Sequence, residues 1–538
     1  MRSINDQTIL IVDPHAGMRS TLHEMLKLGG TAKVEFAVSA GAAIRAIRSC
    51  TYDVVLCEYD LGPGQDGQQL LEDLRHHKLL PRSTVFILVT AERANEKVMG
   101  AAECAPTDYL LKPFTADTLL ARVNRALLAR QLFTPTYQLI EQGRISDAIE
   151  SCIEGARTHA AQRLKFMQLR GELHMMLGDH VGAEKIYLEL MTIGAQAWVQ
   201  LGLAKARYMQ GHLDDAARDL TALIAASPQF LDAYDWLAKT HEASGQPEQA
   251  KAVLQDAVIV SPHALRRLRK LGGLALELGD AVTAEQSLTQ VIRKARYSEF
   301  RDPEDHARLV SALLKQGHPN KAVDVIRDMD KSMSGLDKTP ACRAMASALL
   351  HTHNGDTKRA TLELGLAVAA SKIDMSSDLT LDLVRTCLAN NLDAEAMAVT
   401  LDAIKAFPAG AASTKAMRVF EQAGRGEMAH ALKVAGRKQA LAVIADASAK
   451  AKAGDFRTAM TMLTQAARQM PDHPQVLFHA ILATLKCLDS LGWDAASHVQ
   501  AAAFLARARQ LEPENAHLVP LEEMYRAVSL KYKVAAAL

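Results

Sequence analysis

Two acidic residues end short apolar runs: Asp13 closes Ile9-Leu10-Ile11-Val12, and Glu58 closes Val54-Val55-Leu56-Cys57. Thr90 ends a third run, and Lys112 follows a fourth, Tyr109-Leu110-Leu111. In an open sheet of parallel strands, polar sites collect at the carboxyl ends of the strands. These residues are therefore expected along one rim. Carboxylates, an ammonium and a hydroxyl gathered there would form one charged polar cluster. Glu58 and Lys112 could instead reach each other and close as an ion pair.

The elements that must position this rim are legible as alternating runs. Residues 8–12, 33–37, 54–57, 85–90 and 109–111 read as five strands. Segments 17–28, 40–49, 67–76 and 116–132 between and after them read as helices. Strands separated by helices imply a parallel sheet with right-handed crossovers. The expectation for residues 1–132 is an α/β doubly wound five-stranded sheet. With 538 residues, the chain is too long for that single core.

After about residue 130 the β-branched runs vanish and a punctuation begins. Glycine is followed five residues later by alanine at Gly143/Ala148, Gly178/Ala183, Gly211/Ala216, Gly245/Ala250, Gly279/Ala284, Gly317/Ala322, Gly355/Ala360 and Gly454/Ala459. The glycines from 143 to 355 are spaced 35, 33, 34, 34, 38 and 38 residues apart. Proline stands twelve residues after the alanine at Pro228, Pro262, Pro408, Pro471 and Pro513, with Ala396 and Ala501 preceding Pro408 and Pro513. Glycine ends one helix, alanine lets the next approach its neighbour closely, and proline stops that second helix. This pattern resembles the tetratricopeptide repeat. Tyr234-x-x-Leu237-Ala238-x-x-His241, Gly245, Ala250, Leu254, Ala257, Pro262 is its clearest copy. Residues 133–538 are expected to form an all-α solenoid of nine or ten helical pairs. Spacers near 295–305, 330–340 and 409–450 are irregular, and 516–532 reads as a capping helix.

The first 130 residues resemble the response-regulator receiver domain of the chemotaxis type. The resemblance rests on Ile9 through Asp13, Arg19, Tyr52 through Glu58, Asp66-Gly67, Thr90-Ala91 and Tyr109-Leu110-Leu111-Lys112-Pro113-Phe114. It implies a carboxylate cluster that binds Mg²⁺, an acceptor that takes a phosphoryl group, and a lysine that pairs with its oxygens. A threonine and an aromatic, here Thr90 and Tyr109, then move to change the output surface.

Two departures stand out. Glu58 occupies the position of the phosphate-accepting aspartate, one methylene further from the backbone. Pro14 replaces the second member of the usual acidic pair, which leaves Asp13 and Glu58 as the only metal-ligand candidates. The expectation is a pseudo-receiver without a cofactor, in which Glu58 reaches Lys112; residual binding of Mg²⁺ or phosphate at Asp13 and Glu58 is an alternative reading. Phosphorylation elsewhere would fall on Asp60, whose place in the loop is that of a turn residue.

Composition narrows the rest. Net charge is +1 and aromatics make up 5%, which argues against nucleic acid. No apolar run approaches membrane-spanning length. The seven cysteines form no C-x-x-C pair, consistent with a reducing, cytoplasmic setting. Arg266-Arg267-Leu268-Arg269-Lys270 is the densest basic run. Arg266, Arg269 and Lys270 share one helix face and, on the concave-lining first helix of a repeat, could bind an acidic peptide. His351-Thr352-His353 and His76-His77 read as surface pairs. There is no P-loop, nucleophile elbow, dinucleotide fingerprint or HExxH motif. The expected function is non-enzymatic: a signalling adaptor in which a degenerate receiver regulates protein binding by the solenoid, with homodimerisation left open. The alternatives are a working phosphorelay regulator and a solenoid acting on another phosphorylated protein.

Overall fold

The computed structural model describes residues 7–30, 33–62, 65–91, 106–262, 264–296, 299–370, 375–406, 411–470 and 473–532. Contacts divide the chain into two compact units, Met1–Met176 with His180–Arg301, and Asp302–Leu538 with Leu177–Asp179.

The first unit opens with β1 (Thr8–Val12), α1 (Ala16–Leu28), β2 (Lys33–Ala37), α2 (Ala40–Ser49), β3 (Val54–Glu58), α3 (Gly67–His76), β4 (Val85–Thr90), β5 (Asp108–Leu111) and α4 (Ala116–Glu141). The sheet order is β2-β1-β3-β4-β5, with every pairing parallel. Alternation along the strands divides the core between the two faces. Leu10, Val12, Val55, Cys57, Phe86 and Leu88 pack with α2 and α3. Ile9, Ile11, Val54, Leu56, Ile87 and Val89 pack with Leu22 and Leu26 of α1 and Leu119 and Val123 of α4. Strands covered on both faces read as continuous apolar runs, which is why β1, β3 and β4 were legible.

The fourth helix departs from expectation. It does not stop at residue 132 but runs through Pro135 to Glu141. Proline inside a helix costs about 3 kcal/mol. Packing on both sides of it offsets that cost. The Phe133 ring lies 4.2 Å from Phe166, and the Thr136 hydroxyl is 2.7 Å from that of Ser151. Thr134 Oγ1 also donates to the Arg130 carbonyl at 3.1 Å. Arg130 pins α4 to the sheet, donating to Asp53 Oδ1 at 3.1 Å and Gln7 Oε1 at 2.9 Å.

Helical hairpins follow: α5 (Ile145–Thr158), α6 (Arg163–Leu177), α7 (His180–Ile193), α8 (Ala197–Met209), α9 (Leu213–Ala226), α10 (Leu231–Ala243), α11 (Pro247–Val260), α12 (Leu265–Glu277) and α13 (Ala281–Ala295). Gly143, Gly178, Gly211, Gly245 and Gly279 sit in the turns at φ of 73° to 85°, a region that favours glycine. The alanines five residues on are fully buried. Pro228 and Pro262 lie two residues past the ends of α9 and α11.

The second unit continues with hairpins from Pro303–Lys315 and Pro319–Ser332 through Pro474–Leu491 and Ala495–Leu511, ending in helix Leu518–Lys531. Two turns missing from the Gly/Ala series belong to it. Asn391 (φ 59°) precedes buried Ala396, and Gly424 (φ 75°) precedes buried Ala429. Pro408 and Pro471 lie outside the described residues. Among the described residues the six cysteines are free, and no helix is long and apolar enough to cross a membrane.

Candidate functional site

The strand ends bring the rim residues to one edge. The backbone beyond β3 continues the ladder, Tyr59 N–H donating to Val89 O at 2.8 Å, and Lys112 N–H donates to Thr90 O at 2.8 Å. α3 begins hard against this edge. A Cβ on Gly67 would lie 2.4 Å from Glu58 O and 2.8 Å from Leu88 Cδ2, so only glycine permits the approach. Asp66 caps α3 by accepting from Gln69 N–H at 2.7 Å, and burial pushes its carboxyl up to about 6.

Glu58 is buried, and both its carboxylate oxygens have partners. Oε2 takes the Lys112 ammonium in a short contact. Oε1 accepts from Tyr59 N–H at 3.0 Å and Asp60 N–H at 3.3 Å. Glu58 and Lys112 thus meet directly, as the extra methylene allows. Asp60 is exposed and accepts from Gly62 N–H at 2.9 Å, the arrangement of a turn residue. Thr90 is buried at the end of β4. Tyr109 is half-buried against the α2–α3 face of the core, and burial raises its hydroxyl well above the ordinary range, with Tyr59 adding to the effect.

Asp13 is 1% exposed. Its Oδ1 accepts from His15 N–H at 2.7 Å, while Oδ2 is buried without a hydrogen-bond partner. Arg19 donates to the carbonyls of Asp13 at 2.7 Å and Pro14 at 3.0 Å. That orphaned oxygen is a ligand a cation could use, but the rest of the donor set does not fit Mg²⁺. Pro14 offers no carboxylate, a guanidinium stands beside it, and both oxygens of Glu58 are committed. Among the described residues no group of three His, Cys, Asp or Glu side chains is placed to hold a metal.

On α12, Arg266 and Lys270 are exposed and Arg269 is half-buried, and each has a partner within the first unit. Arg266 donates to Asp235 Oδ2 at 2.6 Å and lies 3.5 Å from His76 Nδ1. Arg269 donates to Phe300 O at 2.6 Å, and Lys270 to Glu242 Oε1 at 2.7 Å. The residue passed over, Arg267, is the most enclosed of the run at 2% exposed. It forks onto Asp235 with two bonds of 2.9 Å and lies 3.9 Å from Glu72 Oε2 of α3. Its signal was present in the sequence: buried Leu271 and Leu274 follow at four and seven residues, marking an inward face.

Glu72 belongs to the sheet domain, so α3 faces α12. Burial pushes the Glu72 carboxyl up to about 7, with Arg267 working against the rise. His76 and His77 are exposed, as expected, and stand on the side of α3 that faces the helical array. His77 stacks on Phe300 with ring centroids 4.2 Å apart. Burial holds both imidazoles below their ordinary value, with Arg266 adding to the effect at His76 and Arg269 at His77. Nearby, Arg45 of α2 pairs with Glu299 at 2.5 Å, and Arg82 pairs with Glu172 of α6 at 2.8 Å. His351 and His353 close helix Thr339–His353, as the sequence suggested.

A family model described as response regulator receiver domain matches residues 9–124, and one described as tetratricopeptide repeat matches residues 207–271. The chemotaxis protein CheY-3 of Vibrio cholerae is 30% identical over 117 residues, covering 22% of this chain and 88% of that protein. Among solved structures, a CheY-like receiver domain protein from Methanospirillum hungatei is 28% identical, covering 23% of this chain and 96% of its own, with a TM-score of 0.21. A tetratricopeptide repeat protein from Parabacteroides merdae is 14% identical, covering 48% of this chain and 97% of its own, with a TM-score of 0.31.

Proposed function

This chain belongs to the response regulator receiver family, and from that premise we propose that it is a cytoplasmic signalling adaptor whose receiver, residues 1–132, works without aspartyl phosphate. Its tetratricopeptide array, residues 133–538, binds a protein partner, and the output is binding rather than catalysis. The observation that carries this reading is the state of Glu58. Acyl phosphorylation needs a free carboxylate oxygen as nucleophile and a cation to screen the incoming phosphoryl group. Here one oxygen is held by Lys112 and the other by two backbone N–H groups. Pro14 removes a metal ligand. Glu58 itself supplies the anion that Lys112 would otherwise receive from a phosphoryl group. The half-buried Tyr109 fits a switch held in one position.

The experiment is intact-mass measurement of the full chain after incubation with acetyl phosphate and Mg²⁺. The expected result is an unchanged mass. A stable, Mg²⁺-dependent gain of one phosphoryl group that disappears in Glu58→Gln would make the chain a working phosphorelay regulator instead. Affinity capture with the full chain addresses the adaptor half of the reading.

A further inference from the structure

β2 is an end strand of the sheet, so one side of its backbone has no neighbouring strand. The pairing with β1 fixes which side. Asp13 N–H donates to Ala37 O at 3.0 Å, so Lys33, Glu35 and Ala37 turn their backbone groups to β1. Val34 and Phe36 turn theirs outward, and among the described residues no backbone group bonds to them there. Such an edge is a template for another strand unless proline, a bulge or a row of like charges blunts it. β2 has no proline, its register with β1 is continuous, and its two charges, Lys33 and Glu35, are opposite in sign.

The side chains divide by face. Val34 and Phe36 stand on the α1 side, where Val34 packs on the core and Phe36, 46% exposed, meets the His23 ring at 5.4 Å. Lys33 and Glu35 stand on the other side, both exposed, and the Tyr52 hydroxyl donates to Glu35 Oε2. Antiparallel pairing with a second β2 has few registers, because outward residues must meet outward residues. With Val34 opposite Val34 of the second copy, the two exchange backbone hydrogen bonds. Lys33 of each copy then falls opposite Glu35 of the other, in the pairs whose side chains lie closer. Phe36 lies diagonal to the second Val34, within reach of an aromatic ring. The next register sets Glu35 against its own copy. The one beyond reaches the bend at Val38 and Ser39 and gives neither charge a counterpart.

We propose that two copies of this chain join through their β2 edges, antiparallel about Val34, into one continuous sheet. Two Lys33–Glu35 pairs specify the interface, and Val34 and Phe36 close its apolar side. This goes beyond the adaptor reading and does not depend on it.

The test is sedimentation velocity of the full chain over a range of concentrations at low salt. Wild type should pass from monomer to dimer as concentration rises. Amide exchange across residues 33–37 should slow over the same range, a readout that needs no variant. Lys33→Glu and Glu35→Lys each set like charges across the two copies, which destabilises a strand pair, and should raise the dissociation constant by about tenfold. Mixing the two variants in equal amounts should recover association as a heterodimer, because each then meets the opposite sign at both positions. Recovery on mixing also shows that both variants are folded. A wild type that stays monomeric at every concentration overturns the proposal. Exchange that ignores concentration while the chain dimerises, or single variants that associate as wild type does, overturns the β2 edge as the interface. Two monomeric variants that melt cooperatively and still fail to associate on mixing overturn the pairing of Lys33 with Glu35.

Discussion

Removing Lys112 tests whether the receiver site is a closed ion pair. In Lys112→Ala the Glu58 side chain, 9% exposed, loses its ammonium, whose own side chain is 23% exposed. Breaking a buried pair from one side costs about 3–5 kcal/mol, and an exposed pair is worth about 0–1 kcal/mol. Glu58 lies nearer the first limit. Two backbone N–H groups remain on Oε1, however, and hydrogen bonds to a charged group contribute roughly 1.5–3 kcal/mol. The expected cost is therefore about 2–3 kcal/mol. Amides of β3 and β4 should exchange about 30- to 150-fold faster, since each 1.4 kcal/mol is tenfold. Adding Glu58→Gln should recover most of the loss, because a neutral amide oxygen still accepts from Tyr59 and Asp60. Lys27→Ala, which breaks the exposed pair with Glu24, is the control. If the two lysine variants differ by less than about 0.5 kcal/mol, the Glu58 carboxylate is solvated and the closed-pair argument fails.

Ala250 is fully buried among Ala238, Leu254, Leu271 and Leu274. Ala250→Glu should therefore cost several kcal/mol, on the order expected for an unpaired buried charge. Faster exchange should be confined to α10–α12, leaving the sheet unchanged, because repeats rest on their neighbours. Asp66 predicts a pH dependence. Its folded value of about 6 lies above the ordinary 3.8, so its contribution is fully present below pH 4 and is lost as pH rises through 6. Asp66→Asn should accordingly exceed wild type in stability at pH 8 and converge with it near pH 4 in urea titrations. The receiver–array contact should tighten from pH 8 to 6.5 as Glu72 gains a proton among Arg266, Arg267, Asp232, Asp235 and Asp73. Further acidification should loosen it as His76 and His77 charge beside Arg266 and Arg269, a reversal visible in exchange of α12.

Much of this was legible locally. The strands announced themselves because both sheet faces are covered. The hairpins did so because a left-handed turn selects glycine and a close crossing selects alanine. Asn391 escaped because asparagine also tolerates that backbone region without glycine's signature. The continuation of α4 escaped because Pro135 predicts a stop, and only packing by Phe133 and Thr136 overrides it. Glu58 meeting Lys112 could be anticipated from side-chain length. The burial of Arg267 against α3 could not, because it joins residues 195 positions apart whose pairing depends on how two domains dock.

The uninterrupted α4 makes the two domains phase-locked. At about 1.5 Å and 100° per residue, its 26 residues form a shaft of roughly 39 Å that belongs to the sheet at one end and to the first hairpin at the other. Chain length along this shaft is therefore an angle. One residue inserted near 132 would turn the array by about 100° and carry α12 away from α3, whereas four would bring it back to within about 40°. The receiver and the array are not interchangeable beads on a string. Their sequences are tied to a shared count of residues, and recombination between relatives would have to respect it.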